Sequence, residues 1–477
     1  MVNAAIAATR SSSTSRPCRN HRDAVLPQRS LRVASSRLRL TARAMTAPVL
    51  GYTSRMRILL VAIGSDGDVE PFLALAQRLL AVGHSPTVAT VDRFVPRANA
   101  LGIPVVRVGP AWSEKKTGDD FAKVLRRRNP LRQVAEVIHL LRDLQLAVLP
   151  DLLALAQDTD VVVHAPITAV GAAVARKLGK PHVSVHLVPM IPGDHYAPTG
   201  ASLGRFGNRA LWSITRLLLA RVTDAPLNQV IEATGLAPWR NIMLESARSR
   251  SLDLVAVSPQ LMPRDPAWDP AVRVTGYWSV ADTSFQPDPA LERVMQQAPV
   301  VIGFGSMMGF DPHKTTERIL KAVKGLGRPV VIQAGWARLG ASSLPSNVHI
   351  AGFTPHAWLF QRAAGVVHHG GAGTIGAALR AGVPQAIVWH VGAMPVWDRK
   401  LVQLGVAPKP RSHYNMDARW LRRTIDRMLQ DSEMQARARS VGELVQREDG
   451  VGDAVRAIEE VVGKPAHGSR SSAQSSA

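Results

Sequence analysis

Two glycine-containing stretches hold the side chains of this chain that could do chemistry. The sequence HHGGAGT at residues 368–374 places two adjacent histidines, three glycines and a threonine hydroxyl in one predicted turn. Such a turn, followed by a helix, directs backbone N–H groups and the positive helix end at one point, which makes an anion site. Thr374 is predicted to cap that helix, which runs to Ala381. Alternatively, the glycines serve only close packing.

The second stretch is GSDGD at residues 64–68, directly after the apolar run RILLVA at 57–62. Its carboxylate, Asp68, stands at a predicted helix start, where capping the helix or pairing with its dipole is one role. The other role is that of a general base for a substrate hydroxyl, which requires this loop to face the anion turn across a cleft. Ser65 and Gly67 belong to the same loop.

Several other chemistries lack their required residues. The spacing at 64–68 is not GxGxxG, which disfavours hydride transfer, and neither GxxxxGK(S/T) nor HExxH is present. Cys18 is the only cysteine, so there is no disulfide framework and no thiolate metal cluster, and a reducing cytoplasm fits. The longest apolar stretch, 137–156, is interrupted by charged residues and does not predict a membrane span.

The elements around both loops alternate between strands and helices, which predicts an α/β fold of two doubly wound, Rossmann-like domains facing across a cleft. A helix over 131–157 is expected to break at Pro150. A helix over 206–233, with Trp212, Leu217, Leu218 and Leu219, is either one wall of an apolar pocket or an ordinary core-facing helix. A Pro- and Asp-rich passage over 259–289 is typical of an interdomain linker. The predicted boundaries are a disordered extension or misassigned start at 1–55, domains at 56–275 and 299–445, a linker at 276–298, a C-terminal helix at 446–465 and a disordered tail at 466–477.

The formal net charge is +22. Residues 1–55 hold ten arginines and one acid, a net of +9 that leaves +13 for the rest. The positive charge of residues 56–477, called the body below, suits a polyanionic substrate or an anionic membrane surface. Nucleic acid is disfavoured, because no zinc-finger spacing, RNA-recognition motif or arginine run is present.

The chain resembles the UDP-glycosyltransferase superfamily of GT-B fold, in its bacterial and sterol-glycosyltransferase branch. The resemblance covers residues 57 to about 408, with the matching segments GSDGDVEPFLALAQRLLAVGHSPTVAT at 64–90, FGSM at 304–307, QAGW at 333–336 and NVHIAGFTPHAWLFQRAAGVVHHGGAGTIGAALRAGVPQ at 347–385. It implies an inverting transfer of a hexose from a nucleotide sugar to a hydroxyl of a lipophilic acceptor. The expected donor is UDP-linked, and the expected acceptor is a lipid, a sterol-like molecule or a secondary metabolite. The first domain would bind the acceptor and the second the nucleotide sugar, without a metal.

The resemblance also implies roles for individual residues. Asp68 is the expected catalytic base, and Phe353 is expected to stack on the nucleobase. His369, Gly371, Gly373 and Thr374 are expected to bind the diphosphate, with Ser306 near the donor's phosphates.

One segment departs from the family pattern. Where relatives carry an Asp-Gln pair that binds sugar hydroxyls, this chain has Ala393 and Met394, which offer no carboxylate or amide. Trp397 and Asp398 are the remaining donor-side candidates. Three interpretations are open: His390 and Asp398 substitute for the pair, the donor sugar differs, or donor handling is impaired. The rival functions are a nucleotide-sugar epimerase and a degenerate glycosyltransferase that activates a partner. We also expect a cytoplasmic protein that makes peripheral contact with an anionic membrane.

Overall fold

The structure, a computed structural model, describes residues 55–111, 124, 129–188, 190–198, 202–282, 284–305, 312–334, 344–390 and 395–462. Within these ranges the chain forms two all-parallel sheets with helices between successive strands. Parallel strands need helical crossovers that cover both sheet faces, and their apolar residues are accordingly buried. The predicted α/β architecture of two doubly wound units is confirmed.

The first sheet has the strand order β3-β2-β1-β4-β5-β6-β7. Its strands are β1 (Arg57–Val61), β2 (Ser85–Thr90), β3 (Val105–Arg107), β4 (Val161–His164), β5 (His182–His186), β6 (Asp253–Val255) and β7 (Val272–Val274). The central strand β1 pairs with β2 on one side and β4 on the other, so Leu59 lies opposite both Thr87 and Val162. The chain leaves β1 at this sheet's carboxyl edge and reaches Asp68 a few residues later.

The helices of this first unit are α1 (Asp66–Ala81), α2 (Val95–Ala100), α3 (Pro130–Gln157), α4 (Ala169–Lys177) and α5 (Gly204–Ala233). The prediction that α3 breaks at Pro150 is wrong, because the helix continues through it. Pro150 is exposed, so the carbonyl that loses its partner there is on the solvent side. The neighbouring Val148, Leu149 and Leu152 are buried and hold the helix on the sheet.

The passage over 259–289 is not a linker throughout. Val272–Val274 forms the edge strand β7, which pairs with β6 in register from Asp253 opposite Val272. Three residues flanked by Pro and Asp give too short an apolar pattern to be recognised as a strand. Pairing with β6 stabilises it in the folded protein.

The second sheet has the order β10-β9-β8-β11-β12-β13. Its strands are β8 (Val300–Gly303), β9 (Val330–Gln333), β10 (Val348–Ala351), β11 (Gly365–His368), β12 (Gln385–Trp389) and β13 (Arg411–Ser412). The accompanying helices are α6 (Pro289–Met295), α7 (Pro312–Val323), α8 (His356–Phe360), α9 (Ala372–Ala381), α10 (Pro395–Gln403), α11 (Ala418–Gln430), α12 (Ser432–Gln446) and α13 (Gly450–Val462). The strand β11 lies between β8 and β12, so both glycine turns of this unit, after β8 and after β11, adjoin one another.

The last helix, α13, returns to the first sheet. Its buried residues Ala454, Val455, Ala457 and Ile458 belong to the apolar cluster that contains β1, β4 and α1. The His84 ring reaches Glu459 of this helix at 3.0 Å. The chain therefore crosses between the two sheet units a second time after the passage that follows β7.

Candidate active site

His368 organises the glycine turn after β11 from within the core. Its Nδ1 accepts the Gly370 N–H at 3.1 Å, so Nε2 carries the hydrogen and donates to Gln385 Oε1 at 3.0 Å. Burial, together with the neighbouring His369, lowers the pKa of His368 to about 3, and the ring is neutral at ordinary pH. Gly370 has φ +91°, which only glycine adopts without strain. His368 is thus a positioning residue for the turn.

His369 lies between the two glycine turns. A Cβ placed on Gly305 would be 3.0 Å from its Cε1, and one on Gly371 would be 2.5 Å from its Nε2. Neither position therefore accepts a side chain while the ring stays in place. The Nδ1 atom of His369 is buried and has no hydrogen-bond partner among the described residues. Burial and the neighbouring His356 lower its pKa to about 4, so a neutral imidazole faces the start of α9 with one nitrogen unused.

The helix α9 has its cap three residues before Thr374. Gly371, in extended conformation with φ −63° and ψ 141°, is the N-cap, and Ala372 begins the helix. The predicted capping role of Thr374 is therefore wrong, and its buried side chain lies in the first turn. The glycine turn ends at Gly371, so Thr374 lies inside the helix and not at its cap. A side-chain carbon added to Gly373 would have no neighbour within 4 Å among the described residues, so its surroundings there are open.

A small cavity of about 10 Å³ lies at the carboxyl ends of β8, β9 and β11, with Gly305, Gln333, His356, His369 and Thr374 in its lining. It holds roughly one water molecule and is too small for a diphosphate. A larger cavity of about 440 Å³ lies at the amino-terminal edge of the same sheet, lined by residues that include Arg328 and Asn347. It contains none of the predicted site residues, and parallel sheets bind ligands at the carboxyl edge.

Asp68 forms a capping interaction at the start of α1, after β1. Its Oδ2 accepts hydrogen bonds from the N–H and Oγ of Ser65, both at 2.8 Å, and Oδ1 has no hydrogen bond with the described residues. Gly64 makes room for this carboxylate: its φ is +143°, and a Cβ there would overlap Oδ2. Burial raises the pKa of Asp68, as does the charge of Asp66, while the bonds from Ser65 oppose the rise. The capping role is thus observed, and one carboxylate oxygen is left over.

The helix α1, which follows the Asp68 loop, packs on α9, which follows the His369 turn. Tyr277 lies between the units: a Cβ on Gly376 of α9 would overlap its ring, and the charge of Glu70 in α1 acts on its hydroxyl. Burial, followed by Glu70, raises the pKa of Tyr277. Tertiary structure therefore brings together the helices whose first turns carry Asp68 and Thr374. Gly67 in the first turn of α1 is exposed.

Phe353 follows β10 and has 62% of its surface exposed. The Arg97 guanidinium of the first unit lies 5.4 Å from the centre of its ring. Arg97 is itself held by Glu70 at 3.1 Å and Asp282 at 2.5 Å. The sequence did not single out Arg97, because the contact joins residues that are far apart in the chain.

The two remaining donor-side candidates are buried. Trp397 is in an apolar cluster that also contains Ile191 and Tyr196 of the first unit. Asp398 is 4% exposed, forms no ion pair with the described residues, and has its pKa raised to about 6 by burial. Ser306, Ala393 and Met394 lie outside the described residues.

His390 and His413 form a pair that includes one residue not recognised from the sequence. Their rings stack at 4.7 Å with an interplanar angle of 1°, and His390 also lies 5.0 Å from the Phe304 ring. Each Nδ1 bonds a carbonyl, of Val388 for His390 and of Trp389 for His413, so each Nε2 is an acceptor. Burial lowers the pKa of His390, as do His413 and His369, so it stays neutral.

The helix predicted over 206–233 is core-facing in part. Trp212 is buried, whereas Leu217 and Leu218 are 59% and 43% exposed. The described residues contain no cluster of three or more His, Cys, Asp or Glu side chains that could hold a metal ion. None of the described helices combines the length and apolar composition needed to cross a bilayer.

Two family models match the chain. Residues 58–191 match the glycosyltransferase family 28 N-terminal domain, and residues 317–464 match the C-terminal domain of erythromycin biosynthesis protein CIII-like sequences. Together these segments contain Asp68, Phe353, His369 and Thr374.

Curated relatives are glycosyltransferases. Glycosyltransferase GtfE of Amycolatopsis orientalis is 32% identical over 363 residues, which is 74% of this chain and 85% of that protein. A sterol 3-beta-glucosyltransferase of Arabidopsis thaliana is 27% identical, over 85% of this chain and 68% of that protein. The O-mycaminosyltylonolide 6-deoxyallosyltransferase of Streptomyces fradiae is 29% identical, over 85% and 97%. Some relatives are much longer, since the chain spans 34% of the sterol 3-beta-glucosyltransferase of Komagataella phaffii.

Solved structures share the fold. The glycosyltransferase of kitacinnamycin superposes with a TM-score of 0.63 at 19% identity, covering 86% of this chain and 99% of that one. Glycosyltransferase VinC, solved in complex with dTDP, has a TM-score of 0.58 at 20% identity, covering 85% and 100%. These comparisons give no support to a nucleotide-sugar epimerase.

Proposed function

The chain belongs to the UDP-glycosyltransferase superfamily, and on this basis we propose that it transfers a hexose from a nucleoside diphosphate sugar to a hydroxyl of a lipophilic acceptor. The superfamily, the GT-B fold and the glycosyltransferase class expected from the motifs are confirmed. The observation that carries the proposal is His369, a half-buried, neutral imidazole between two glycine turns at the start of α9, whose buried Nδ1 has no hydrogen-bond partner among the described residues. Such a group is placed to bind an anion at a helix N-terminus.

In the proposed reaction the acceptor oxygen attacks the anomeric carbon of the donor sugar. The bond from that carbon to the diphosphate breaks, the diphosphate leaves with the electron pair, and the configuration inverts. The N–H groups of the first turn of α9 and His369 stabilise the departing charge. Gly371, Gly373 and Thr374 border the phosphates, and Ser306 is the proposed contact from the turn after β8.

Asp68 is the proposed base, which takes the acceptor proton. Its capping bonds to Ser65 use Oδ2 alone, so Oδ1 is available. Burial raises its pKa, which makes the carboxylate a better proton acceptor than an exposed one. Ser65 therefore serves as a positioning residue, and Gly67 keeps the acceptor side of the loop free of a side chain.

The donor's base and sugar have separate proposed contacts. Phe353 is exposed enough to stack on a nucleobase. In place of an Asp-Gln pair, His390 directly after β12 offers an Nε2 acceptor and Asp398 of α10 offers a carboxylate, with Trp397 adjacent to it in the chain. We propose UDP-linked donors first and dTDP-linked donors second, the latter because VinC was solved with dTDP.

The proposed division of the chain gives the acceptor to residues 56–275 and the nucleotide sugar to residues 299–445, joined by 276–298. Sterol and macrolide relatives support a lipophilic acceptor. We propose a cytoplasmic enzyme that needs no metal and makes peripheral contact with an anionic membrane, for which the net charge of the body is suited.

The test is nucleotide release by the purified chain from UDP- and dTDP-sugars, with and without hydrophobic acceptors. We expect release of the nucleoside diphosphate to depend on the acceptor. Calorimetry with UDP separates the remaining rival, a degenerate homologue that activates a partner. A folded protein without detectable UDP binding would support that rival, for which the motivating observation is Ala393 and Met394.

A further inference from the structure

The amino-terminal half of α5 and the residue before it expose an unusual amount of apolar surface. The exposed fractions are 60% for Leu203, 83% for Phe206, 55% for Ile214, 59% for Leu217 and 43% for Leu218. We name these five residues the apolar stripe. They make up half of the large apolar residues that are exposed in the described part of the chain. A concentration of this kind on one helix marks an interaction surface.

The stripe is continuous along one side of the helix. At about 100° per residue, Phe206, Ile214 and Leu217 fall within roughly 80° of one another around the helix axis, with Leu218 at the border. The opposite side is anchored to the protein. Trp212 is buried and donates its Nε1–H to the Tyr196 carbonyl at 2.6 Å, and Asn208 bonds the Asp194 carbonyl. The apolar stripe therefore faces solvent and cannot turn inward.

Arginines border the stripe. Arg205, Arg209 and Arg216 are exposed on the same half of the helix, and Arg221 is exposed about one turn further on. Arg205 and Arg209 share the single carboxylate of Asp194, and Arg216 pairs with Glu245. Two acids face four arginines, so the surface is positive as well as apolar. This combination is typical of helices that lie in the interface of an anionic bilayer.

The stripe lies close to the border between the two sheet units. The loop between β5 and α5 contains Tyr196, whose ring lies 4.9 Å from the Lys400 ammonium of α10 in the second unit. The same loop holds α5 through Asp194 and Tyr196. A bilayer that contacts the apolar stripe would therefore lie beside the edge of the first unit that borders the second.

We propose that the apolar stripe of α5 docks the protein onto an anionic lipid membrane, with its side chains inserted among the acyl chains and the arginines at the phosphate level. This proposal rests on the proposed function in one respect: docking would give the enzyme access to an acceptor dissolved in the membrane. Association of two copies through the stripe is disfavoured by charge, because it would bring the arginines of both copies together. Lipid phosphates neutralise them instead.

The test uses the full chain and vesicles of phosphatidylcholine alone or mixed equally with phosphatidylglycerol. We expect co-sedimentation with the anionic vesicles, and a loss of at least about tenfold in partitioning for the double variant Phe206→Glu, Leu217→Glu. The matched control is Leu444→Glu, at a leucine that is 43% exposed on α12, and it should bind like the unchanged chain. Residues 1–55 carry ten arginines that also attract anionic lipid, and all variants retain them, so the difference reports the stripe.

Insertion is measured independently with a spin label. Because Cys18 is the only cysteine, a Cys18→Ser chain with Leu217→Cys carries one nitroxide. On anionic vesicles its accessibility to oxygen should rise and that to a water-soluble nickel complex should fall, whereas Leu444→Cys should show neither change. Leu217 is exposed, so a label at this position should not disturb folding. The measurement therefore does not depend on whether the glutamate variants fold.

Three results would overturn the proposal. They are equal vesicle binding by the double variant and the unchanged chain, no preference for phosphatidylglycerol, and a dimer in vesicle-free solution that the double variant dissociates. Turnover with a water-soluble acceptor should be unchanged in the double variant. Absence of turnover in the unchanged chain would contradict the proposed function and leave the vesicle results to stand by themselves.

Discussion

The Arg97 guanidinium lies 5.4 Å from the centre of the Phe353 ring, so a cation of the first sheet unit covers part of an exposed aromatic ring of the second. Its geometry is compatible with a cation–π interaction. Glu70 and Asp282 form ion pairs with the same guanidinium. A nucleobase that stacks on Phe353 must therefore share the ring with Arg97 or displace it.

Replacing Arg97 should weaken the contact between the units. The side chains of Arg97 and Asp282 are 19% and 6% exposed, so Arg97→Met leaves a buried carboxylate without its partner. We expect the free energy of unfolding to fall by about 2–3 kcal/mol in urea titrations. Arg437→Met is the control, because its partner Glu433 is 73% exposed and such pairs contribute little. Equal losses in the two variants would contradict the interpretation.

Asp68→Asn should separate binding from chemistry. The amide oxygen can still accept the Ser65 hydrogen bonds, so the loop and the UDP affinity measured by calorimetry should be retained. Turnover should fall by about a hundredfold or more, because the amide cannot take the acceptor proton.

The pH profile gives a second check on Asp68. Burial raises its pKa, and the carboxylate acts only when ionised, so activity should fall with decreasing pH at values above those of an exposed aspartate. The Asn variant should lose this acidic limb. An unimpaired rate in Asp68→Asn would mean that another group is the base.

The adjacent histidines should respond in opposite ways. His369→Ala removes a ring whose Nδ1 is unpartnered among the described residues, so we expect UDP affinity to fall at least about tenfold with little change in stability. His368→Leu removes the bonds to Gln385 and Gly370, so we expect unfolding to become easier by about 3 kcal/mol. Calorimetry and thermal unfolding of both variants check the pair, and identical behaviour would argue against the separate roles.

Asp398 should make stability depend on pH. Burial raises its pKa to about 6 from an ordinary 3.8, so the folded protein holds the proton more tightly than the unfolded chain. The folded state is therefore penalised increasingly as pH rises from about 4 to about 6, and fully above that. Asp398→Asn should stabilise the protein by about 1 kcal/mol at pH of about 4.5 and by about 3 kcal/mol at pH of about 8.

The readout for Asp398 is the difference between the two pH values in urea unfolding. Asp143→Asn, at an exposed position on α3, is the control and should follow the unchanged chain. If Asp398 contacts the donor sugar as proposed, its Asn variant should also raise the KM for the donor. A gain in stability that is the same at both pH values would contradict burial as its cause.

The alternation of strands and helices was enough to predict the α/β fold of two units, because the apolar patterns of strands and helices are local signals with a regular period. The local sequence also indicated the capping alternative for Asp68, which the hydrogen bonds from Ser65 bear out. Local signals failed where distant residues decide the outcome. Thr374 fits a cap by composition, but the turn that His368 holds from the core places the cap at Gly371.

Tertiary structure alone decided which side chains meet. Arg97 and Phe353 are far apart in the chain, as are His390 and His413, and no periodicity relates them. It also decided that Leu217 faces solvent while Trp212 is buried, since a leucine-rich helix has the same pattern whether its apolar side contacts a core or a membrane. Sequence determines which elements form because neighbouring residues set local conformation. Packing between distant elements determines which groups are buried, paired or left exposed.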